Sequence, residues 1–144
     1  MILTLYGIIA GLLSVYYIYI IGRYIEGWQA LPNWTVPPDF QAYTALTVLI
    51  PARNEAENIL PCLESIAQQN YPKDLLEVIV IDDHSTDATA DLVRTLPYPW
   101  LRLLPLAQFI DKNDTRSYKK KAIETGIAQA NGELMICTDA DCVA

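Results

Sequence analysis

Residues 133–142 read Glu-Leu-Met-Ile-Cys-Thr-Asp-Ala-Asp-Cys: an apolar run, Leu134 to Cys137, that closes on two carboxylates one residue apart, Asp139 and Asp141. A short apolar run of this kind reads as a buried strand, and open α/β sheets keep their ligands beyond the carboxyl ends of such strands. Asp139 and Asp141 share a face if the chain stays extended, and can converge on one point if it turns. Carboxylates held that close repel one another unless positive charge lies between them. A hard divalent cation with phosphate oxygens on its far side is one solution; a turn with two solvated aspartates is the other. The remainder of the chain decides between them.

Upstream of this stretch, Lys119 to Ala130 has helical spacing, with Ala122, Ile123, Ile127 and Ala130 expected to face the core, and Asn131-Gly132 turns the chain into the strand. Lys119, Lys120 and Lys121 at the start of a helix oppose its dipole, so the run is either a solvated basic face or a group waiting for an anion. A polar loop, Asp111 to Lys121, leads into that helix, and Trp100 to Leu104 forms a weaker third strand.

Two earlier strands follow the same plan. Glu77 to Ile81 (E-V-I-V-I) is a buried strand followed at once by Asp82, Asp83, His84, Ser85, Thr86 and Asp87. Ser85 or Thr86 is placed to cap a helix through about Arg94, with Asp87 in its first turn. Asp82 is expected to hold the loop and Asp83 to accept a hydrogen bond from a base ring N–H, while the lone histidine, His84, reads as a turn residue. Ala45 to Ile50 (A-L-T-V-L-I), closed by Pro51, is the first strand. Asn54 with Glu57 fits a capping box for a helix carrying Ile59, Leu60, Leu63, Ile66 and Ala67 on one face, with Pro61 tolerated in its opening turns. The turn from Pro51 to Asn54 then presents backbone amides and Arg53 at the carboxyl edge of the sheet, facing a nucleotide.

Strand, helix, strand, helix, strand, helix, strand implies an α/β domain with an open, mostly parallel sheet covered by helices on both faces. Neither a G-x-G-x-x-G turn nor a P-loop follows any strand, so any nucleotide site is assembled from separate strand ends.

At 144 residues the chain has room for one domain with a real core, and its net charge of -7 argues against binding nucleic acid through its overall field. Five of its 10 basic residues nevertheless cluster at Lys112, Arg116, Lys119, Lys120 and Lys121. Cys62, Cys137 and Cys142 have neither zinc spacing nor an even count, which fits a reducing compartment. Ile2 to Ile21 carries no charge, and at about 1.5 Å per residue it reaches roughly 30 Å, the thickness of a hydrocarbon core. Tyr16, Tyr17, Tyr19, Tyr24, Trp28 and Trp34 crowd its carboxyl end as an interfacial belt does. The expected organisation is a transmembrane helix over 1–24, a juxtamembrane linker over 25–44 and the α/β part over 45–144. Arg23 and the reduced cysteines lean toward a single-pass anchor in the cell membrane with a cytoplasmic soluble part.

Taken together, T-V-L-I-P-A-R-N-E-A-E-N-I (Thr47 to Ile59), E-V-I-V-I-D-D-H-S-T-D-A-T (Glu77 to Thr89), K-K-K-A-I-E-T-G-I (Lys119 to Ile127) and N-G-E-L-M-I-C-T-D-A-D-C (Asn131 to Cys142) resemble the family 2 glycosyltransferases, enzymes of the GT-A fold. The resemblance implies Pro51, Ala52, Arg53 and Glu55 around uridine or another base, Asp83 on the base edge and Lys119 near the donor. It also implies Asp139 toward the ribose or metal and Asp141 as the ligand of Mg²⁺ or Mn²⁺. Its partners would be a nucleoside-diphosphate sugar, a glycan or lipid acceptor and the membrane. In the family the general base lies after the D-x-D half, so none is expected in this chain, which by this reading is the donor-binding half and transfers little sugar alone. Two rivals stand beside it: a catalytically silent membrane-tethered nucleotide-binding remnant, and a haloacid-dehalogenase-like phosphatase, whose D-x-D-x-[TV] opening motif Asp139 to Val143 also fits.

Overall fold

The computed structural model describes residues 2–33, 35–109 and 118–143. Trp34 of the expected aromatic belt and Asp111, Lys112 and Arg116 of the basic loop lie outside the described residues. The chain forms two compact units, one ending at Phe40 and the other beginning at Gln41.

In the first unit the uncharged run and the aromatic residues after it form one continuous helix, α1 (Ile2–Gln29), with no buried residue. By length and composition it is able to cross a membrane. Ser14 Oγ donates to the Ala10 carbonyl at 2.9 Å, so this polar group is satisfied inside the helix, as a bilayer demands. Arg23 and Glu26, 3.6 Å apart, pair on the last turns.

The second unit runs β1 (Leu46–Ala52), α2 (Ile59–Gln68), β2 (Leu76–Asp82), α3 (Thr89–Thr95), β3 (Leu101–Pro105), a short 3₁₀ turn (Leu106–Gln108), α4 (Tyr118–Gln129) and β4 (Leu134–Cys137). All strand pairs are parallel, in the order β3-β2-β1-β4. Alternation along β1 and β2 sends Val48, Ile50, Ala52, Val78 and Val80 to one face, where α2 and α3 add Ile59, Cys62, Leu63, Ile66 and Val93. Leu49, Ile79 and Ile81 go to the other, against Leu104, Leu106 and Ala122 of α4. The two central strands are therefore buried on both sides, which is why they read as unbroken apolar runs.

Four local expectations are corrected. Ile127, expected to face the core from α4, is 45% exposed, while Ala122 on the same helix is fully buried. Expected to be buried, β4 lies instead at the edge of the sheet, with Leu134 53%, Met135 39% and Ile136 43% exposed. An apolar run reports that a strand suits burial, and it carries no information about its rank in the sheet. The helix after β1 begins at Ile59 and not at Asn54, because Asn54 takes a left-handed backbone (φ 57°) and spends its side chain on Thr86. Neither Ser85 nor Thr86 caps α3: the cap position is Ala88, and no side chain bonds there.

Candidate active site

Because every strand is parallel, the loops after β1, β2 and β4 open at the same edge of the sheet. There they enclose a cleft of about 280 Å³ lined by Pro51, Ala52, Arg53, Glu55, Asp83, Lys119, Ala122, Asp139, Ala140 and Asp141. Every residue singled out from the sequence as a candidate ligand contact is in that lining. Ala122 and Ala140 join them, the small residues that floor the cleft.

The D-x-D turn owes its shape to its middle residue. Thr138 N donates to the Leu49 carbonyl at 3.1 Å, carrying the β1–β4 pairing one residue beyond the strand. Ala140 then drops into the core, 2% exposed, beside the α2 side of the sheet. With Ala140 pinned below, Asp139 and Asp141 are left at the surface, and both face the cleft. Cys142 N closes the turn on the Asp139 carbonyl at 3.2 Å. Cys62 Sγ approaches the same carbonyl at 3.9 Å, and burial, helped by the nearby Cys142 and Asp141, pushes its thiol pKa up. Cys62 is thus a neutral packing group under the turn.

On the opposite wall, Asp83 is 7% exposed. Its Oδ1 lies 3.0 Å from His84 Nδ1 and its Oδ2 3.8 Å from Arg53 Nη1. His84 itself has a left-handed backbone (φ 56°) and is part of the turn, as expected. Asp82 holds the loop, accepting from Ser85 N at 3.2 Å.

The loops after β1 and β2 are stitched together by contacts that local sequence reasoning assigned elsewhere. Asn54 N donates to Ser85 Oγ (3.0 Å), Glu55 N to Thr89 Oγ1 (2.8 Å) and Ala56 N to Asp87 Oδ2 (3.1 Å). In return Thr86 N and Oγ1 donate to Asn54 Oδ1 at 2.8 and 3.2 Å. Asp87 also accepts from the Thr89 hydroxyl and amide, which hold its carboxyl below the usual range. The amides of Asn54, Glu55 and Ala56 are therefore engaged. The turn presents Arg53 to the cleft, but the Asn54 amide that was expected to face a nucleotide is taken by Ser85.

Across the cleft, Lys119 Nζ lies 2.7 Å from Asp139 Oδ1. Its hydrogen bond to that carboxylate raises the pKa of the ammonium. Among the described residues no group of three or more His, Cys, Asp or Glu side chains converges to cage a metal. Two hard oxygen donors, one of which already attracts a cationic group, nevertheless suit a divalent ion that takes its remaining ligands from phosphate and water, as Mg²⁺ commonly does.

The sequence profile of glycosyl transferase family 2 matches residues 47–144. The chain is 37% identical over 99 residues to the glycosyltransferase AglE of Haloferax volcanii, covering 67% of this chain and 30% of that protein. Among solved structures it is similar to the mannosyltransferase PcManGT of Pyrobaculum calidifontis in complex with GDP-Man and Mn²⁺, with 36% identity and a TM-score of 0.64 over 88% of this chain and 34% of that one. It is also similar to Staphylococcus aureus TarS in complex with UDP-GlcNAc, with 30% identity and a TM-score of 0.56 over 67% of this chain and 26% of that one. The chain thus spans about a third or less of the length of these proteins. The match runs through Asp139 and Asp141. Among the described residues these two follow β4, with three parallel strands before it in the sequence.

Proposed function

This chain belongs to glycosyl transferase family 2, and from that premise we propose that its cleft holds a metal-bound, UDP-linked nucleoside-diphosphate sugar for transfer to a glycan or lipid acceptor. The observation that carries the reading is the convergence of Asp83, Lys119, Asp139 and Asp141, from three separate segments, on one cleft. Asp83, nearly buried and braced by His84 and Arg53, accepts the ring N–H of the base. Pro51, Ala52, Arg53 and Glu55 form the wall beside it. Lys119, Asp139 and Asp141 face the diphosphate end. Two carboxylates and a diphosphate repel one another at contact distance, so they share a site only with positive charge between them. A bound Mg²⁺ or Mn²⁺ would supply that charge and would stabilise the diphosphate as a leaving group. Asp139 and Asp141 would hold it, and Lys119 would add a further positive group to the same oxygens.

The same reading makes α1 a membrane anchor with the α/β unit on the cytoplasmic side, in keeping with Arg23 near its carboxyl end and with three free cysteines. Binding is tested by titrating UDP into the full chain in detergent micelles, with Mn²⁺ or with EDTA. Affinity that needs Mn²⁺ and is lost in Asp141→Ala is the expected result. Equal affinity in EDTA, or no binding in either, overturns the proposal.

A further inference from the structure

Lys119 stands in the first turn of α4, where its charge opposes the helix dipole. Lys120, next to it, meets the same conflict within the helix and reaches Glu124 at 3.8 Å. Lys119 instead crosses to the turn after β4 and places its ammonium 2.7 Å from Asp139 Oδ1. Both side chains are more than half exposed, 64% and 55%, so the pair is open to exchange. An ion pair this accessible adds little to stability. Its position, on one of the two carboxylates that the nucleotide-sugar reading gives to a metal, calls for another role.

We propose that Lys119 is a resident counter-ion of the carboxylate pair, held on Asp139 until a divalent cation and a diphosphate arrive together. The inference rests on the nucleotide-sugar reading above and adds an order of events to it. With the ammonium in place, the three groups Lys119, Asp139 and Asp141 carry one net negative charge where the carboxylates alone carry two, so they attract a bare dication weakly. When the diphosphate enters with its cation, Asp139 exchanges the ammonium for the metal and Lys119 pairs with phosphate oxygens. Asp139 and Lys119 each have a partner of opposite charge at both stages. Each ligand thereby favours the other, and by linkage the coupling is the same in both directions.

The test is a titration of Mn²⁺ into the full chain in detergent micelles, with free Mn²⁺ followed by electron paramagnetic resonance, for the wild type, Lys119→Met and Lys120→Met. Lys119→Met is expected to bind Mn²⁺ alone about fivefold or more tighter, the low end of ordinary coupling. The same variant should lose about tenfold or more in UDP affinity at saturating Mn²⁺, as expected for removal of a charge-assisted contact to phosphate. Lys120→Met, with the same loss of charge, should follow the wild type in both. A Lys119→Met chain whose affinity for Mn²⁺ alone is unchanged or weaker overturns the counter-ion role, and so does equal tightening in Lys120→Met. If the wild type binds Mn²⁺ and UDP together while Lys119→Met leaves Mn²⁺ affinity unaltered, only this inference falls; if the wild type binds no UDP with Mn²⁺, the nucleotide-sugar reading falls with it.

Discussion

Glu77 on β2 holds Asn131 by both of its amides: the backbone N–H donates to Oε2 at 2.9 Å and Nδ2 donates to Oε1 at 2.8 Å. Thr47 Oγ1 of β1 donates to the same carboxylate at 2.8 Å, and Arg102 of β3 at 3.0 Å. Arg102 also donates to the Gln129 carbonyl at the end of α4. One carboxylate at the end of the sheet opposite the cleft therefore ties three strands to the turn that starts β4. That strand has four residues and, among the described residues, one hydrogen-bonded neighbour, so the anchor has a large share in setting the Leu46 to Leu134 register. A slip of one residue would turn the side chains of β4 to the opposite faces and misplace the carboxylates beyond it.

Glu77→Ala should cost about 3 kcal/mol in urea unfolding, since it strips partners from several polar groups at once. Burial pushes the Glu77 pKa up, but the Asn131 amides, the Thr47 hydroxyl and the Arg102 charge more than offset it, so the folded value lies below the ordinary 4.5. A depressed folded pKa stabilises the protein fully above the unfolded value, and the contribution drains away as pH falls through the folded one. The wild-type urea midpoint should therefore fall with acidification below about pH 4.5, and that part of the fall should be absent in Glu77→Gln.

Gly132 sits where no side chain fits. A Cβ there would lie 2.5 Å from Thr47 N and 2.7 Å from the Leu46 carbonyl carbon, and both atoms are backbone in the core strand. Gly132 N also donates to Thr47 Oγ1 at 2.9 Å. Gly132→Ala must push β4 away from β1, and should cost about 2–3 kcal/mol of stability, in the range for overpacked sites. Weaker protection of the Thr138 amide in hydrogen exchange would show that the strand end has moved.

Thr89 carries the junction of the two loops. Fully buried, its hydroxyl accepts from Glu55 N at 2.8 Å and donates to Asp87. Thr89→Val keeps the shape and removes both bonds, leaving an amide in a part-buried site unmatched, for about 2 kcal/mol. Arg53 and Asp83 flank this junction, so UDP affinity measured at a temperature where the variant is fully folded should also drop.

How far the sequence foretold this arrangement depends on the range of the forces involved. Valine and isoleucine runs in β1 and β2 announce strands buried on both faces, and acids just past the strand ends of a parallel sheet have to emerge at one edge. Both readings need only periodicity and direction. Asn54, Ser85 and Thr86 look like helix caps because each stands near a helix start, yet Asn54 and Ser85 lie 31 residues apart and bind one another. A distant partner outcompeted the local one, and no local pattern reveals that. The role of Glu77 is hidden for the same reason: it reads as an ordinary strand residue until Asn131, 54 positions later, meets it. The edge position of β4 was equally hidden, since strand order follows from packing and not from composition.

Ala140 offers a way to disturb the carboxylates without touching them. It is 2% exposed and packs among the residues between the sheet and α2, directly between Asp139 and Asp141 in the chain. A larger side chain must either displace α2 or lift the turn. Since α2 is held by Ile59, Leu63 and Ile66 deep in the core, the exposed turn is the part that yields. Ala140→Leu should therefore cost about 1–3 kcal/mol in thermal or urea unfolding, the usual range for overpacking. Its larger effect should fall on Mn²⁺-dependent UDP binding, because convergence of the two aspartates depends on the depth at which Ala140 sits. Calorimetric titration of folded Ala140→Leu with UDP and Mn²⁺ checks this, and wild-type affinity in that variant would mean that the turn does not set the geometry of the pair.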